Sequence, residues 1–437
     1  MTRPFALLVV AALAGITTAQ PPPAPEKVLL YEDFQTRKPV RIDIGTTLSG
    51  RLALPDRENK RDGKPEVVTV TGTARLDYDE VLLPRDAEGN LVALRQYRDV
   101  EFRRRLGDTD QQAGVRAGVR RMVVLRNAAG KKVPFSPDGP LTLAEIDVVR
   151  TDLFSPVLVT GLLPKPPAGV GNTWPASDAA VVELTDFNEV EKNELVIELA
   201  AFLMIDGRKH AKLTIAGTVR GTGEDGVSIQ TFAGTGYFDT ERKIFVSLSL
   251  SAKNQLLGPD GKTVNGEVAG TFVVRRAYVT DSPLTAEVVK GFEPTPTDAK
   301  TRLLFNDPEF GATFTYPRRW RLGTVGQGRL TVNEATGAAG IQLTRYAPDG
   351  TTVDKQFAEA KELAARQKWT VTGATPPKDG RFTLSVTTDK GDNLKLDTRV
   401  LSTADGVTVL SARYPVARAA ELLPQIDSIL DGVTLAK

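Results

Sequence analysis

The chain has 437 residues, with 56 lysines and arginines against 54 aspartates and glutamates, one histidine and no cysteine. That inventory excludes disulfides, thiol nucleophiles and multi-histidine zinc sites, and the near-neutral balance gives no global attraction to nucleic acid or an anionic membrane. The length predicts two or three domains, large enough to hold their cores without covalent staples.

The first element in chain order is an export signal. Arg3 supplies a short positive n-region, residues 5–14 (FALLVVAALA) are apolar, and Thr17-Thr18-Ala19 places small residues before Gln20. This layout reads as a cleavable signal peptide over residues 1–19. The apolar run is shorter than the roughly 20 residues a membrane span needs. With no cysteine after the cleavage position, no lipoprotein anchor is expected. The expectation is a periplasmic or extracellular mature chain with no transmembrane segment. Residues 20–30, opening Gln-Pro-Pro-Pro-Ala-Pro, read as a Pro-rich spacer.

Residues 31–285 read as a mainly β domain. Residues 67–76 (VVTVTGTARL) alternate, and residues 195–205, 211–219, 228–232 and 244–250 follow at hairpin-like spacing. Alternation with frequent turn signals predicts antiparallel sheet with one solvated face. The region reads as a diverged duplication with halves 31–152 and 153–285. In the first half a strand at 67–76, a turn and strands at 78–83 and 91–102 are expected. In the second, strands at 211–219 and 226–232 precede a segment at 236–250. Leu163-Pro164-Lys165-Pro166-Pro167 breaks regular structure between them. The sequence Val170-Gly171-Asn172-Thr173-Trp174, then Ile215-Ala216-Gly217-Thr218 and Gly236-Tyr237-Phe238-Asp239, resembles an uncharacterised family of exported bacterial β-rich proteins. That family usually carries aspartate where Asn172 stands, and the resemblance implies no catalytic residues. Trp174 reads as a packing anchor.

Residues 286–302 read as a linker by composition. Beyond it an α+β domain is expected over 303–437. Strands at 314–320 and 340–344 lead to a helix at 355–367, capped by Thr351 or Asp354, with Phe357, Ala360, Leu363 and Ala364 at helical spacing. Strands at 369–372, 381–388, 395–402 and 407–414 and a closing helix at 417–430 complete it. Phe314, Tyr316-Pro317 and Trp320, the meander to Tyr414-Pro415 and the terminal Ser428-Ile429-Leu430 resemble the PsbP-like α/β/α sandwich. The resemblance implies an adaptor or accessory role rather than a chemistry.

Five features of the chain gather residues capable of chemistry. His210 lies in a polar segment, Asp206-Gly207-Arg208-Lys209-His210, and is expected at a surface turn without a catalytic partner. Gly261-Lys262-Thr263 lacks the earlier glycine of a P-loop and reads as a β-turn. Asp77, Asp79 and Glu80, and the set Asp186, Glu189, Glu191 and Glu194, are possible general acids or calcium ligands. Neither cluster has a calcium-loop ladder, so solvated faces are expected. Arg103, Arg104, Arg105, Arg116, Arg120 and Arg121 concentrate charge, and a solvated mobile loop is expected there, since no aromatics interleave for nucleic acid.

No catalytic, cofactor-binding or metal-binding residue is assigned, and no cofactor is expected. The reading is an exported non-enzymatic envelope protein acting in binding or scaffolding. Its partner is an envelope protein or a hydrophobic or anionic ligand, and not nucleic acid. One alternative is a periplasmic carrier with a hydrophobic ligand enclosed by a curved β-sheet. The other is a hydrolase using paired carboxylates, drawn from Asp77, Asp79, Asp186 and Glu189.

Overall fold

Alternation over long β-branched runs produces one large antiparallel sheet. The computed structural model describes residues 26–35, 37–54, 66–86, 88–127, 130–150, 153–224, 226–326 and 328–435. The expected signal peptide and residues 20–25 of the expected spacer lie outside them. One meander comprises β1 (Val40–Leu54), β2 (Glu66–Leu83), β3 (Leu91–Leu106), β4 (Thr109–Ala113), β5 (Arg121–Arg126) and β6 (Lys132–Phe135). A short β7 (Leu141–Thr142) and the helices α1 (Leu143–Arg150) and α2 (Ser155–Leu162) follow, then β8 (Thr173–Pro175) and α3 (Asp178–Thr185). The second meander comprises β9 (Glu189–Asn193), β10 (Val196–Ile205), β11 (Arg208–Gly223), β12 (Gly226–Asp239), β13 (Ile244–Leu257) and β14 (Val264–Tyr278). The strand β1 pairs with both β2 and β14, from Val40↔Tyr278 to Leu52↔Gly266, so the two meanders form a single 13-stranded sheet.

The period-2 pattern sorts the faces. Along β13, Leu248 and Leu250 are buried while Ser249 and Ser251 are exposed, and Ile42 and Ile44 of β1 are buried while Thr47 and Ser49 are exposed. The inner face is covered by the central helices. Leu158 and Val159 of α2 meet Ile44, Phe245, Leu248 and Val274 around a residual void of about 10 Å³, no larger than one water. Burying each such leucine contributes about 1.5–3 kcal/mol. The sheet is therefore packed where α2 meets it, whereas Leu203 and Ile205 toward the end of β10 stay exposed. At Gly236 an added Cβ would sit 2.6 Å from the Phe245 ring, so glycine makes room for the aromatic.

Two ion pairs cross this core. Arg95 donates to Glu80 at 2.8 Å and to the Leu153 carbonyl, with its guanidinium 4.8 Å from the Tyr78 ring. Arg276 donates to both oxygens of Glu32, whose carboxylate also accepts from the Phe245 amide at 2.8 Å. Glu32 belongs to residues 26–35, which cross the sheet as a strap. Val28 bridges to Ala168, and Leu30 is buried. The described part of the expected spacer is thus pinned to the body.

Several elements differ from the sequence reading. The turn expected at 76–78 is absent, because β2 runs straight through and its partner β3 absorbs the irregularity at Arg98. The segment 236–250 is a hairpin, turned at residues 240–243 with Lys243 in the left-handed region. The stretch expected to be a linker carries α4 (Ala286–Lys290) and α5 (Asp298–Thr301), and Val288, Val289 and Phe292 pack against Leu94, Phe135 and Leu284.

The C-terminal α+β unit begins with β15 (Leu303–Asp307) and β16 (Ala312–Tyr316). A seven-stranded sheet follows, built from β17 (Trp320–Gly326), β18 (Arg329–Glu334), β19 (Gly340–Tyr346), β20 (Thr370–Lys378), β21 (Arg381–Thr387), β22 (Asn393–Thr403) and β23 (Gly406–Pro415). The helix α6 (Val353–Arg366) covers Phe382, Leu384 and Val386 on one face. On the other, α7 (Ala419–Leu430) is tied through Asp427 to Arg399. The cap of α6 is Thr352, which accepts from Lys355 N, rather than Thr351 or Asp354. The unit is joined to the N-terminal region through a separate small sheet, in which β7 pairs in parallel with β15 at Leu303↔Leu141. Arg318 reinforces the joint by donating to the carbonyls of Thr301 and Pro134, and burial pushes its guanidinium down to about 10.

Candidate functional site

The segment between α2 and α3 builds one wall of a large apolar groove. Pro156 starts α2 in its first turn, where a missing amide costs nothing. Leu163 leaves the helix in extended geometry, as a residue before proline must, and the chain bends at Lys165 and Pro166 within the proline-rich segment 164–167. The chain returns through β8, where Trp174 pairs with Ile197 and its indole N–H donates to the Leu162 carbonyl at 2.9 Å. Ser177 caps α3 by accepting from Ala180 N, and its own amide donates to the Gly161 carbonyl at 3.0 Å. A Cβ at Gly161 would lie 2.2 Å from Ser177 Oγ, so only glycine lets α2 and α3 cross this closely.

Glu183 locks this assembly to the sheet. Its buried carboxylate accepts from Arg126, Lys132 and the Phe154 amide. The result is an apolar groove of about 1160 Å³ between α2, the proline segment, the β2–β3 turn and the strap. Leu82, Leu83, Leu91, Val157 and Trp174 give it apolar walls, and Phe34 of the strap contributes one side. Four cations also line it, Arg37, Arg85, Arg126 and Lys165, and no carboxylate does.

A second concavity of about 1050 Å³ lies on the outer face near the β3–β4 hairpin. It is lined by Thr47, Ser49, Thr71, Thr73 and Thr271, with Arg103, Arg104 and Arg105 along one side. The Thr47 and Thr271 hydroxyls lie 2.8 Å apart, Arg104 donates to Gln111, and Arg105 pairs with Asp110.

The sequence candidates are dispersed. His210 is a buried strand residue, not a surface turn. Its Nδ1 lies 3.0 Å from the Arg208 carbonyl and its Nε2 3.8 Å from Asp239. The turn is confined to Asp206-Gly207, which lets β11 begin two residues earlier. Asp77, Asp79 and Glu80 are buried rather than solvated. Asp77 takes both guanidinium donors of Arg41, Asp79 takes those of Arg98, and Glu80 takes Arg95. Strand pairing brings in arginines that are remote in sequence, and Asp77 and Asp79 are each held by a two-pronged guanidinium. Asp186, Glu189, Glu191 and Glu194 are exposed, with Glu191 paired to Arg220 and Glu194 to Lys192. Asp186 and Glu189 share no cleft with Asp77 and Asp79.

The arginine run is not a loop. Arg103 to Arg105 continue β3, Arg116 is held by Glu145, Arg120 donates to the Arg98 carbonyl, and Arg121 pairs with Asp138. Gly261 lies in a turn where Asp260 accepts from the Lys262 and Thr263 amides. The Thr263 hydroxyl, with those amides, lowers the Asp260 carboxyl to about 2. Among the described residues no three histidine, aspartate or glutamate side chains converge to hold a metal ion.

Sequence reasoning missed the groove. A usable signal was present: five prolines between Pro156 and Pro175, beside Trp174, form a rigid apolar surface with no helical or strand period.

No family model and no curated protein matches the chain. Among solved structures, cyanobacterial PsbP (CyanoP) from Synechocystis sp. PCC 6803 is similar at 12% identity and TM-score 0.25, covering 31% of this chain and 92% of that one. The Ran-binding protein Mog1p from Saccharomyces cerevisiae is similar at 10% identity and TM-score 0.24, covering 31% and 96%. Lipovitellin is similar at 12% identity and TM-score 0.32, covering 58% of this chain and 26% of its own. Likeness at this level carries no functional argument, which rests on the residues.

Proposed function

We propose that this chain is a non-enzymatic binding protein that takes a hydrophobic ligand in the α2–Trp174 groove, and that it works outside the cytoplasm after export. The observation that carries the binding reading is the groove itself. A concavity of about 1160 Å³ walled by leucines, valine, prolines and one tryptophan is of the size and chemistry of small-ligand sites. The walls are preformed: prolines fix the segment 164–167, the Trp174 indole is anchored to Leu162, and Glu183 ties the floor to β5 and β6. A rigid site loses little entropy on binding. The export reading rests on the layout of residues 1–19.

The test is native mass spectrometry of the full mature chain after incubation with a bacterial lipid extract, alongside quenching of Trp174 fluorescence. Trp174→Phe identifies that signal against Trp320 and Trp369. The expected result is a stoichiometric adduct that quenches or shifts the Trp174 emission. An unloaded protein with unchanged Trp174 emission at saturating extract would remove the reading.

A further inference from the structure

We infer that the ligand of the groove is an anionic amphiphile, one apolar chain carrying a phosphate or carboxylate head that Arg37, Arg85 and Lys165 receive at the mouth. This rests on the reading of the groove as a hydrophobic-ligand site. The chain as a whole is balanced, yet the residues lining this groove include four cations and no carboxylate. One of the four is already neutralised, because Arg126 pairs with the buried Glu183 at 2.7 Å. The other three are exposed while most of the walls beside them are not, which places their charge at the opening. None of the three has an ion-pair partner among the described residues, and Arg85 spends one donor on the Gly89 carbonyl.

Arg37 also borders a small void lined by Glu32, Asp33 and Glu80, but Glu32 is engaged by Arg276 and Glu80 by Arg95. Asp33 accepts from the Gln35 amide, and Asp86 accepts from the Glu88 and Asn90 amides. An apolar slot with unpaired cations at its mouth matches the charge distribution of an amphiphile with a negative head. A cationic head would be repelled, and a neutral one would gain nothing from the rim. Charge-assisted hydrogen bonds to such a head predict about tenfold or greater preference over a neutral head on the same chain.

The experiment compares dodecyl phosphate, dodecyl maltoside and dodecyltrimethylammonium, each below its micelle concentration, with inorganic phosphate, by calorimetry on the full mature chain. Expected is the order phosphate amphiphile, then maltoside, then ammonium, with about a tenfold first step that shrinks in high salt. In Arg85→Gln/Lys165→Gln that step should vanish, whereas Arg103→Gln on the outer face should retain it. Equal affinity for the phosphate and maltoside probes would overturn the inference and leave the groove reading standing. Failure of every dodecyl probe to bind would remove both. Inorganic phosphate binding as tightly as dodecyl phosphate would overturn the inference in favour of a simple anion site.

Discussion

The α2–Trp174 groove and the outer trough are nearly equal in volume and opposite in construction. The outer trough is made by strands alone, and threonines, serine and arginines dominate its polar lining, with Arg104 engaged by Gln111 and Arg105 by Asp110. The α2–Trp174 groove is made where helices, a proline-rich segment and the strap meet the sheet edge. No strand period governs that junction, so apolar side chains line an open space and three cations stay unpaired. Volume alone does not mark a binding site. Unsatisfied chemistry at a preformed wall does.

Four measurements break or sharpen this contrast. The largest effect is expected from Glu32→Ala, which strands the Arg276 guanidinium in the core and releases the strap that carries Phe34. Removing one partner of such a buried pair costs about 3–5 kcal/mol, read by denaturant unfolding. Glu32→Leu/Arg276→Met should recover much of that stability. Next, Gly161→Val pushes a side chain into Ser177 and Ala180, and should cost about 1–3 kcal/mol while weakening dodecyl-probe binding. An unaltered groove affinity in a folded Gly161→Val protein would show that the α2–α3 crossing does not shape the site.

A smaller effect concerns acid. Burial alone would raise the Glu145 carboxyl, but the Arg116 guanidinium and the Thr142 and Arg116 amides outweigh it, and the value lies below the ordinary one. A depressed carboxylate contributes stability above its unfolded value, near about 4.3, and that contribution is lost as pH falls through the lower folded value. Glu145→Gln should therefore flatten the acid limb of the stability curve. An unchanged acid limb would show that Glu145 is not among the groups that set it. The smallest effect is expected in the trough, where Thr71→Val should change stability within about 0.5 kcal/mol and leave probe affinity untouched.

Much of the strand content was legible because burial on one face enforces alternation, as at Leu248 to Ser251. What alternation does not report is the partner across the sheet. Asp77, Asp79 and Glu80 read as a solvated cluster because Arg41 and Arg98 lie 36 and 19 positions away and reach them only through register. His210 read as a turn residue because its neighbours are polar, although the turn closes at Gly207. In the C-terminal unit the helix α6 was readable from its apolar spacing, while the parallel pairing of β7 with β15 carries no local signal at all. The groove was hidden for the same reason, since strap, β2–β3 turn and α2 are brought together only by the finished fold.

The β1–β14 seam has a kinetic consequence. Val40 cannot find Tyr278 until nearly two-thirds of the chain exists, and non-local pairing of this kind makes folding slow. A chain delivered from its N-terminus must hold one edge of β1 open during that wait. Arg41, Asp43, Thr47, Ser49 and Arg51 recur along the outer side of that edge, and charges there discourage pairing with strangers. The polar outer stripe of β1 thus acts as a guard during assembly, protecting the seam that joins the two meanders.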